Sequence, residues 1–139
     1  MMNYLERLKL DSDQANPFFQ MMGVTVISFA EGHANLSMEI LPTMHNGVGW
    51  LQGGIFVALA DEAMALALYT VLTETEGIAT ISESTSFLRG ARDGMIVARG
   101  WVVRRGRRIA FTEAEVRRGD ESGEVLARTT ASFAIVSKM

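Results

Sequence analysis

The chain has 139 residues, of which 48% are hydrophobic and none is cysteine, and 13 Lys and Arg oppose 16 Asp and Glu for a net charge of −3. This length is that of one domain, residues 1–139, and the apolar content argues against disorder. The composition excludes disulfides, thiolate metal sites and a cysteine nucleophile, and with a charged amino-terminal stretch it indicates a cytoplasmic protein.

The first predicted elements are a short helix and a pair of strands. Asn16-Pro17 has the form of a helix cap followed by a first-turn proline, which predicts a helix over residues 14–22 within a short helical amino-terminal segment of about residues 1–22. Two strand-like runs follow, at residues 24–29 and 33–40, and the second alternates apolar and polar side chains. We therefore expect a half-buried antiparallel pair.

The most unusual segment is residues 55–72, IFVALADEAMALALYTVL, which is apolar around most of a helical circumference. Such a helix must be enclosed by protein or by lipid. Asp61 and Glu62 lie in its first half, and carboxylates near a bilayer centre are costly. We therefore expect a helix buried in protein and no membrane partner.

Four longer strand-like stretches follow the helix, at residues 78–88, 95–105, 109–118 and 124–136. Their lengths and short turns predict an antiparallel meander. With the first pair they form an α+β structure in which a curved antiparallel sheet of about six strands wraps one long helix. Because such a sheet has two edges and one uncovered face, we expect a two-fold homodimer.

Asp61 and Glu62 are the first candidates for chemistry, because a buried carboxylate is costly unless it is paired. Adjacent helical residues point about 100° apart, so the two cannot face one pocket, and one of them could simply face solvent at a gap in the sheet. Burial alone leaves two roles equally open for Asp61, namely an interface hydrogen bond and a base or nucleophile.

The loop before the helix favours a catalytic role for Asp61. Gln52-Gly53-Gly54 lies at the helix start, where free backbone N–H groups favour developing negative charge and glycine lets a ligand approach closely. Amides of Gly53 and Gly54, with Asp61 facing them from a strand or a neighbouring subunit, suit acyl-group hydrolysis. The alternative is that the glycines only relieve crowding. The sequence has no serine elbow, phosphate loop or metal-ligand spacing, so we expect no metal and no cofactor.

The succession of Asn46, Gly49, Gln52-Gly53-Gly54 and Asp61, followed by TISESTSFLRG and GRRIAFTEAEV, resembles the hotdog-fold acyl-CoA thioesterases of the phenylacetate-degradation type. The resemblance runs through nearly the whole chain. It implies a central helix wrapped by an antiparallel sheet, homodimers that pair sheets edge to edge, homotetramers as dimers of dimers, and active sites at subunit interfaces.

The resemblance also implies roles for individual residues. Asp61 matches the general base or nucleophile, and Gly53 matches the backbone donor to the thioester carbonyl. Asn46 matches the residue that holds the attacking water or the substrate, and Thr80 the place of a Ser or Thr that positions water. Gln52 departs from the family, which usually has histidine there; glutamine can donate a hydrogen bond but cannot carry a proton, which argues against hydratase chemistry.

Substrate contacts are expected from two groups of residues. Residues 89–139 carry eleven basic groups against six acids, whereas residues 1–88 carry two against ten. Arg89 and the hairpin arginines Arg107 and Arg108 are candidates for the CoA phosphates, and a solvated turn is the alternative. The acyl group is expected to meet Gly54, Val57, Met64 and Phe87.

Three functions remain under consideration. The leading one is hydrolysis of a medium-chain or aryl acyl-CoA to free acid and CoA. The second is a non-catalytic acyl-CoA or fatty-acyl binding protein whose hydrolysis lapsed with Gln52, and the third is a purely structural self-associating module. A pI of about 5.4 with few aromatics argues against a nucleic-acid partner.

Overall fold

The computed structural model describes residues 2–138, which form four α-helices, one 3₁₀ turn and six strands. The helices are α1 Tyr4–Leu10, α2 Ser12–Ala15, α3 Pro17–Met22 and α4 Gly53–Tyr69, and the 3₁₀ turn is Pro42–Met44. The strands are β1 Val24–Ala30, β2 His33–Glu39, β3 Glu76–Phe87, β4 Met95–Arg105, β5 Ile109–Arg118 and β6 Val125–Ser137. All six predicted strands are present, each with its ends within two residues of the prediction.

The amino-terminal segment, expected to be helical over about residues 1–22, consists of three short helices. The helix α3 has the predicted cap and first-turn proline: the Asn16 side chain accepts from the N–H groups of Phe18 and Phe19. The two short helices before it, α1 and α2, lie within the predicted helical segment, but their bounds were not predicted, because each is too short to show an apolar period. Two side chains of this segment contact α4: the Tyr4 ring lies 5.3 Å from the Tyr69 ring, and Asn16 donates to Glu62.

The long apolar helix is α4, and the expected burial in protein is confirmed. Its enclosed side chains are Phe56, Leu59, Ala60, Ala63, Met64, Leu66, Ala67 and Leu68. It ends at Tyr69 rather than at residue 72, because the Thr70 hydroxyl donates to Ala67 O and accepts the Gly32 N–H at 2.7 Å. Within residues 2–138 the structure has no helix long and apolar enough to cross a membrane.

The six strands form one antiparallel sheet in the order β1-β2-β4-β5-β6-β3. The expected α+β architecture is therefore confirmed, but the predicted four-strand meander is wrong in one detail. Of the four strands after the helix, β4, β5 and β6 pair in chain order, whereas β3 lies beyond β6 at the far edge of the sheet. Seven residues connect β3 to β4, and a chain of that length can span the roughly 14 Å across three strand spacings.

Small residues on the inner face of the sheet let α4 lie close to it. Gly100 of β4 stands opposite Ala114 of β5, and Ala114 opposite Thr129 of β6. A Cβ on Gly100 would lie 2.6 Å from the Ala63 carbonyl oxygen, so only glycine fits at this contact. The short distance between the sheet and α4 is therefore set at Gly100, and it determines which side chains of the helix contact side chains of the strands.

The strand β3 is the less protected edge of the sheet. Its side chains are largely exposed between Ala79 and Phe87, and Ile81 and Phe87 are 55% and 54% exposed. An edge with a free row of backbone groups and large apolar side chains is a natural pairing site for another strand. The sequence predicted that the sheet has two edges, and in the structure these edges are β1 and β3.

Candidate active site

The loop before α4 is organised by the Asn46 side chain. The side-chain Oδ1 accepts from the backbone N–H groups of Val48 at 3.0 Å and Trp50 at 3.1 Å. The backbone N–H of Asn46 donates to Trp50 O at 2.7 Å. Gly49 completes the turn with φ +87°, where a side chain would be strained. The oxygen of Asn46 is thus committed to the loop, which leaves its amide NH₂ as the group that can contact a water or a substrate.

The glycine pair at the helix start is not symmetric. Gln52 is the N-cap of α4, and its Oε1 accepts the Gly54 N–H. The Gly53 N–H has no acceptor among residues 2–138. Of the two amides that the sequence offered as donors, Gly53 therefore remains available, and it lies at the positive end of a 17-residue helix.

Aromatic side chains flank the Gly53 amide. The Phe87 ring, from the end of β3, lies 3.4 Å from where a Gly53 Cβ would be, and it contacts Phe56 edge-on with centroids 6.1 Å apart. Val57 is half-buried one turn along the helix. Met64, in contrast, is fully enclosed, so the structure places it in the core of the chain.

Asp61 and Thr80, predicted on separate elements, line the same cavity. This cavity has a volume of about 410 Å³, and its walls include Ala65, Ile78 and Phe133. Asp61 is partly exposed, but its Oδ1 is enclosed and has no hydrogen-bond donor among residues 2–138. One oxygen of the carboxylate is therefore sealed off, while the residue as a whole opens into the cavity.

A second carboxyl group, which the sequence did not single out, lies beside Asp61. Glu83 of β3 lies within hydrogen-bonding range of Asp61, and its Oε1 is also enclosed without a donor. Burial, followed by the hydrogen bond and the negative charge of Asp61, raises the pKa of Glu83 to about 8. A signal was present: strand alternation places Glu83 on the face opposite Ser82 and Ser84, towards the helix.

Glu62 lines the same cavity as Asp61, so the expectation that the two carboxylates cannot face one pocket is wrong. The Glu62 carboxyl group is held on the side of the amino-terminal helices. The Asn16 NH₂ group donates to Glu62 Oε1 at 2.9 Å and to Tyr4 Oη at 2.7 Å. Burial raises the pKa of Glu62, although the Asn16 hydrogen bond opposes this, and burial raises the pKa of Tyr4 to about 12. The idea that one of the two carboxylates faces open solvent is therefore wrong, because α3 brings Asn16 over Glu62.

Gly53 and Asp61 of one chain are too far apart to act on one carbonyl group. Asp61 lies eight positions after Gly53 in the helix, which corresponds to about 12 Å along the axis. The single chain thus brings Asp61 together with Thr80 and Glu83, and Gly53 together with Gln52 and Phe87, but it does not join the two groups.

The candidate arginines are also divided. Arg89 follows the Phe87 end of β3 and pairs with Glu124 at 3.3 Å. Arg107 and Arg108 lie in the β4–β5 hairpin, beside Glu76 at the other end of β3, in a groove of about 520 Å³ that includes Ile81 and Ile109. Since β3 has 12 residues, roughly 35 Å separates the two groups within one chain.

This chain belongs to the thioesterase superfamily: the model of that family matches residues 49–125, from the Gly49 turn to the start of β6. A protein of Deinococcus radiodurans named "Putative esterase" is 34% identical over 116 residues, covering 82% of this chain and 75% of that protein. Human acyl-coenzyme A thioesterase 13 is 26% identical over 105 residues, 74% of each chain. The expected enzyme class, a thioester hydrolase, is confirmed by this membership.

Solved structures confirm the fold. A phenylacetic acid degradation-related protein of Ralstonia eutropha superimposes with a TM-score of 0.84 at 24% identity, covering 95% of this chain and 99% of the other. The conserved protein PA5202 of Pseudomonas aeruginosa gives a TM-score of 0.82 at 25% identity, with 91% and 98% covered. The chain thus has the hotdog architecture that its sequence resembles.

Proposed function

We propose that this chain hydrolyses an acyl-CoA thioester, with a medium-chain or aryl acyl group, to the free acid and CoA. The observation that carries the proposal is the unused Gly53 amide at the start of the helix whose Asp61 opens into the cavity. The human relative is named for acyl-coenzyme A and a Listeria monocytogenes relative for a naphthoyl-CoA, which supports CoA thioesters as the substrate class.

The proposed reaction uses one water and no added reagent. Asp61 accepts a proton from the water as the water oxygen bonds to the thioester carbonyl carbon, and the Gly53 N–H stabilises the oxyanion. The C–S bond then breaks, and the proton on Asp61 passes to the departing sulfur. Thr80, which lines the same cavity as Asp61, holds the water, and the NH₂ group of Asn46, without an acceptor among residues 2–138, lies in the loop before Gly53.

The site requires two chains in this proposal, because Gly53 and Asp61 are about 12 Å apart within one. Antiparallel pairing of β3 with its copy directs the Phe87 end of one strand towards the Glu76 end of the other. Because Gly53 adjoins Phe87, this pairing brings the Gly53 N–H close to the partner's copy of the cavity that contains Asp61. The same pairing brings Arg89 of one chain towards the hairpin arginines of the other. We propose this homodimer, and a homotetramer as a dimer of dimers.

The two carboxylates on α4 offer a direct test. Thiol release is measured with a panel of acyl-CoAs for the wild type, Asp61→Asn and Glu62→Gln. We expect Asp61→Asn to lower kcat at least about 100-fold, and Glu62→Gln to retain most activity because Glu62 is bound to Asn16. Equal rates for wild type and Asp61→Asn would place the chemistry elsewhere, and a loss confined to Glu62→Gln would make Glu62 the base.

A proline substitution can remove the N–H donor of Gly53 without breaking the helix. Gly53 is the first residue of α4, where proline is tolerated, and Gln52 has φ −63° and ψ 134°, a conformation that suits a residue before proline. Gly53→Pro should lower kcat by about 100-fold. Gly53→Ala is the matched control, because it makes the same contact with Phe87 and keeps the N–H; a loss as large as that of the proline variant would mean a steric effect.

Subunit complementation tests the two-chain site. Heterodimers that pair an Asp61→Asn chain with a Gly53→Pro chain carry one site with both native residues only if each site takes Asp61 and Gly53 from different chains. We expect such heterodimers to recover up to about half the activity of the wild-type dimer. Inactive heterodimers of normal stability would show that each site lies within one chain.

The capping role of Gln52 keeps one alternative open, a binding protein without turnover. This alternative predicts saturable acyl-CoA binding, no thiol release and a gain of hydrolysis in Gln52→His. Robust wild-type turnover removes it. Absence of both binding and turnover would favour the purely structural module.

A further inference from the structure

The carboxyl groups of Asp61 and Glu83 form a pair that joins the central helix to the edge strand β3. They are within hydrogen-bonding range, yet Asp61 Oδ1 and Glu83 Oε1 are both enclosed atoms without any donor among residues 2–138. Two ionised carboxylates have only acceptor atoms and cannot bond to each other. The contact is favourable only when one of them carries a proton.

We propose that Glu83 is a positioning residue that keeps a proton and donates it to Asp61 Oδ1, which leaves the other Asp61 oxygen directed at the cavity. This inference rests on the proposed thioester hydrolysis, in which Asp61 is the base. It extends that function to a second carboxyl group, which touches Asp61 rather than the substrate.

The surroundings of Glu83 favour the protonated form. It stands opposite Ala131 of β6, and the adjacent pair, Thr85 and Thr129, is closed by its own hydroxyl hydrogen bond of 2.8 Å. Burial is the largest cause that raises the pKa of Glu83 to about 8, followed by the hydrogen bond and the negative charge of Asp61, which is the one charged group acting on Glu83 among residues 2–138. β3 has no basic residue, and Arg128 of β6 stands opposite Ser86 and lies 3.7 Å from Glu115, so the proton stays on Glu83 at neutral pH.

A fixed proton on Glu83 has two effects on the base. The hydrogen bond locks the Asp61 rotamer, and general-base catalysis depends on that geometry. Glu83 retains its proton throughout the cycle, so the proton that Asp61 takes from water is the one it passes to the thiolate. When Glu83 ionises, the bond is replaced by repulsion between like charges and Asp61 is displaced.

The test compares Glu83→Gln with Glu83→Ala. Glutamine keeps an N–H donor for Asp61 but cannot titrate, whereas alanine removes the donor. We expect wild-type kcat/KM to fall above about pH 8 and Glu83→Gln to lose this decline while staying within about threefold of wild type at pH 7. Glu83→Ala should be at least about tenfold less active. An identical alkaline decline in wild type and Glu83→Gln would overturn the proposal.

A spectroscopic titration separates this proposal from the proposed function. The ¹³C signal of the Glu83 carboxyl, assigned by its loss in Glu83→Gln, should titrate near pH 8 in the wild type and at lower pH in Asp61→Asn. A midpoint unaffected by Asp61→Asn would refute the shared proton even in an active thioesterase. Titration as expected in a protein without thioesterase activity would instead refute the hydrolytic function and leave the pair intact.

Discussion

Gln52 Oε1 accepts the backbone N–H of Gly54, and this hydrogen bond gives the backbone amides of Gly53 and Gly54 different roles. The Gly54 amide is used to start the helix, and the Gly53 amide remains free for a ligand. Gln52 therefore acts first as a helix cap. The departure from the family's usual histidine changes how the helix begins as well as which group can donate near the substrate.

Two substitutions at Gln52 separate capping from substrate contact. Gln52→Glu keeps an acceptor for the Gly54 N–H and adds a charge that the helix dipole favours, but it loses the NH₂ donor and places negative charge beside the oxyanion. We expect normal thermal stability with a kcat lowered at least about tenfold. Gln52→Ala should lose about 1 kcal/mol of stability as well. Thermal unfolding and thiol-release rates check both. Full activity in Gln52→Glu would show that the side chain only caps the helix.

Asn16 is predicted to be essential to stability through Glu62. Asn16→Asp keeps the cap of α3 but replaces the donor to Glu62 and Tyr4 with a second carboxylate. We expect a loss of about 1–3 kcal/mol at pH 8. The loss should shrink as the pH falls towards 5, because protonation of either carboxyl restores a donor. Urea unfolding at both pH values measures this, and a loss that does not depend on pH would contradict it.

Two buried threonines should respond to valine in opposite directions. Thr112 is 1% exposed and its hydroxyl has no partner among residues 2–138, so Thr112→Val should raise the free energy of unfolding by about 1 kcal/mol. Thr129 is equally buried but bonds to Thr85, so Thr129→Val should lower it by about 1 kcal/mol. Chemical denaturation of both variants checks the pair, and a change of the same sign in both would argue against this reading of the Thr112 hydroxyl.

The raised pKa of Glu83 also predicts how stability depends on pH. Between its ordinary value of 4.5 and about 8, the folded chain holds a proton that the unfolded chain has released. The contribution of this proton is therefore present at low pH and is lost as the pH rises through 8. We expect wild type and Glu83→Gln to have similar melting temperatures at pH 5 and the variant to be more stable at pH 8.5. Glu74→Gln, in an exposed turn, is the control and should follow the wild type.

Sequence patterns located the elements well but not their neighbours. The apolar circumference of residues 55–72 predicted an enclosed helix, and alternation placed the ends of β4 and β5 correctly. Periodicity describes one element at a time, however, and the position of β3 beyond β6 depends on a connection that crosses three strands. The meander was predicted from the long strands and short turns, and strand length does not record which strands pair.

In the candidate active site, too, local features were predicted from the sequence and contacts between distant segments were not. Asp61 and Gly53 stood out because a carboxylate in an apolar helix and glycines at a helix start are locally unusual. Strand alternation could have placed Glu83 on the face towards the helix, but its contact with Asp61, 22 positions earlier in the chain, could not be predicted from that pattern. The grouping of Arg89 with the hairpin arginines also failed within one chain, since opposite ends of β3 separate them. Contacts between distant segments are fixed by strand order, which no local pattern records.

The hairpin arginines yield a prediction about the CoA portion of the substrate. Arg107 and Arg108 are exposed, and no carboxylate among residues 2–138 forms an ion pair with either, whereas Arg89 is held by Glu124. Replacing both hairpin arginines with alanine should raise KM for acyl-CoA several-fold and leave KM unchanged for an acyl thioester of a short neutral thiol, because only CoA carries phosphates. Raising salt should affect the wild type in the same selective way, since screening weakens exposed charge pairs. Arg99→Ala, on the face of β4 beside Trp101, is the control. Equal effects on both substrates would assign the hairpin arginines to ordinary surface charge.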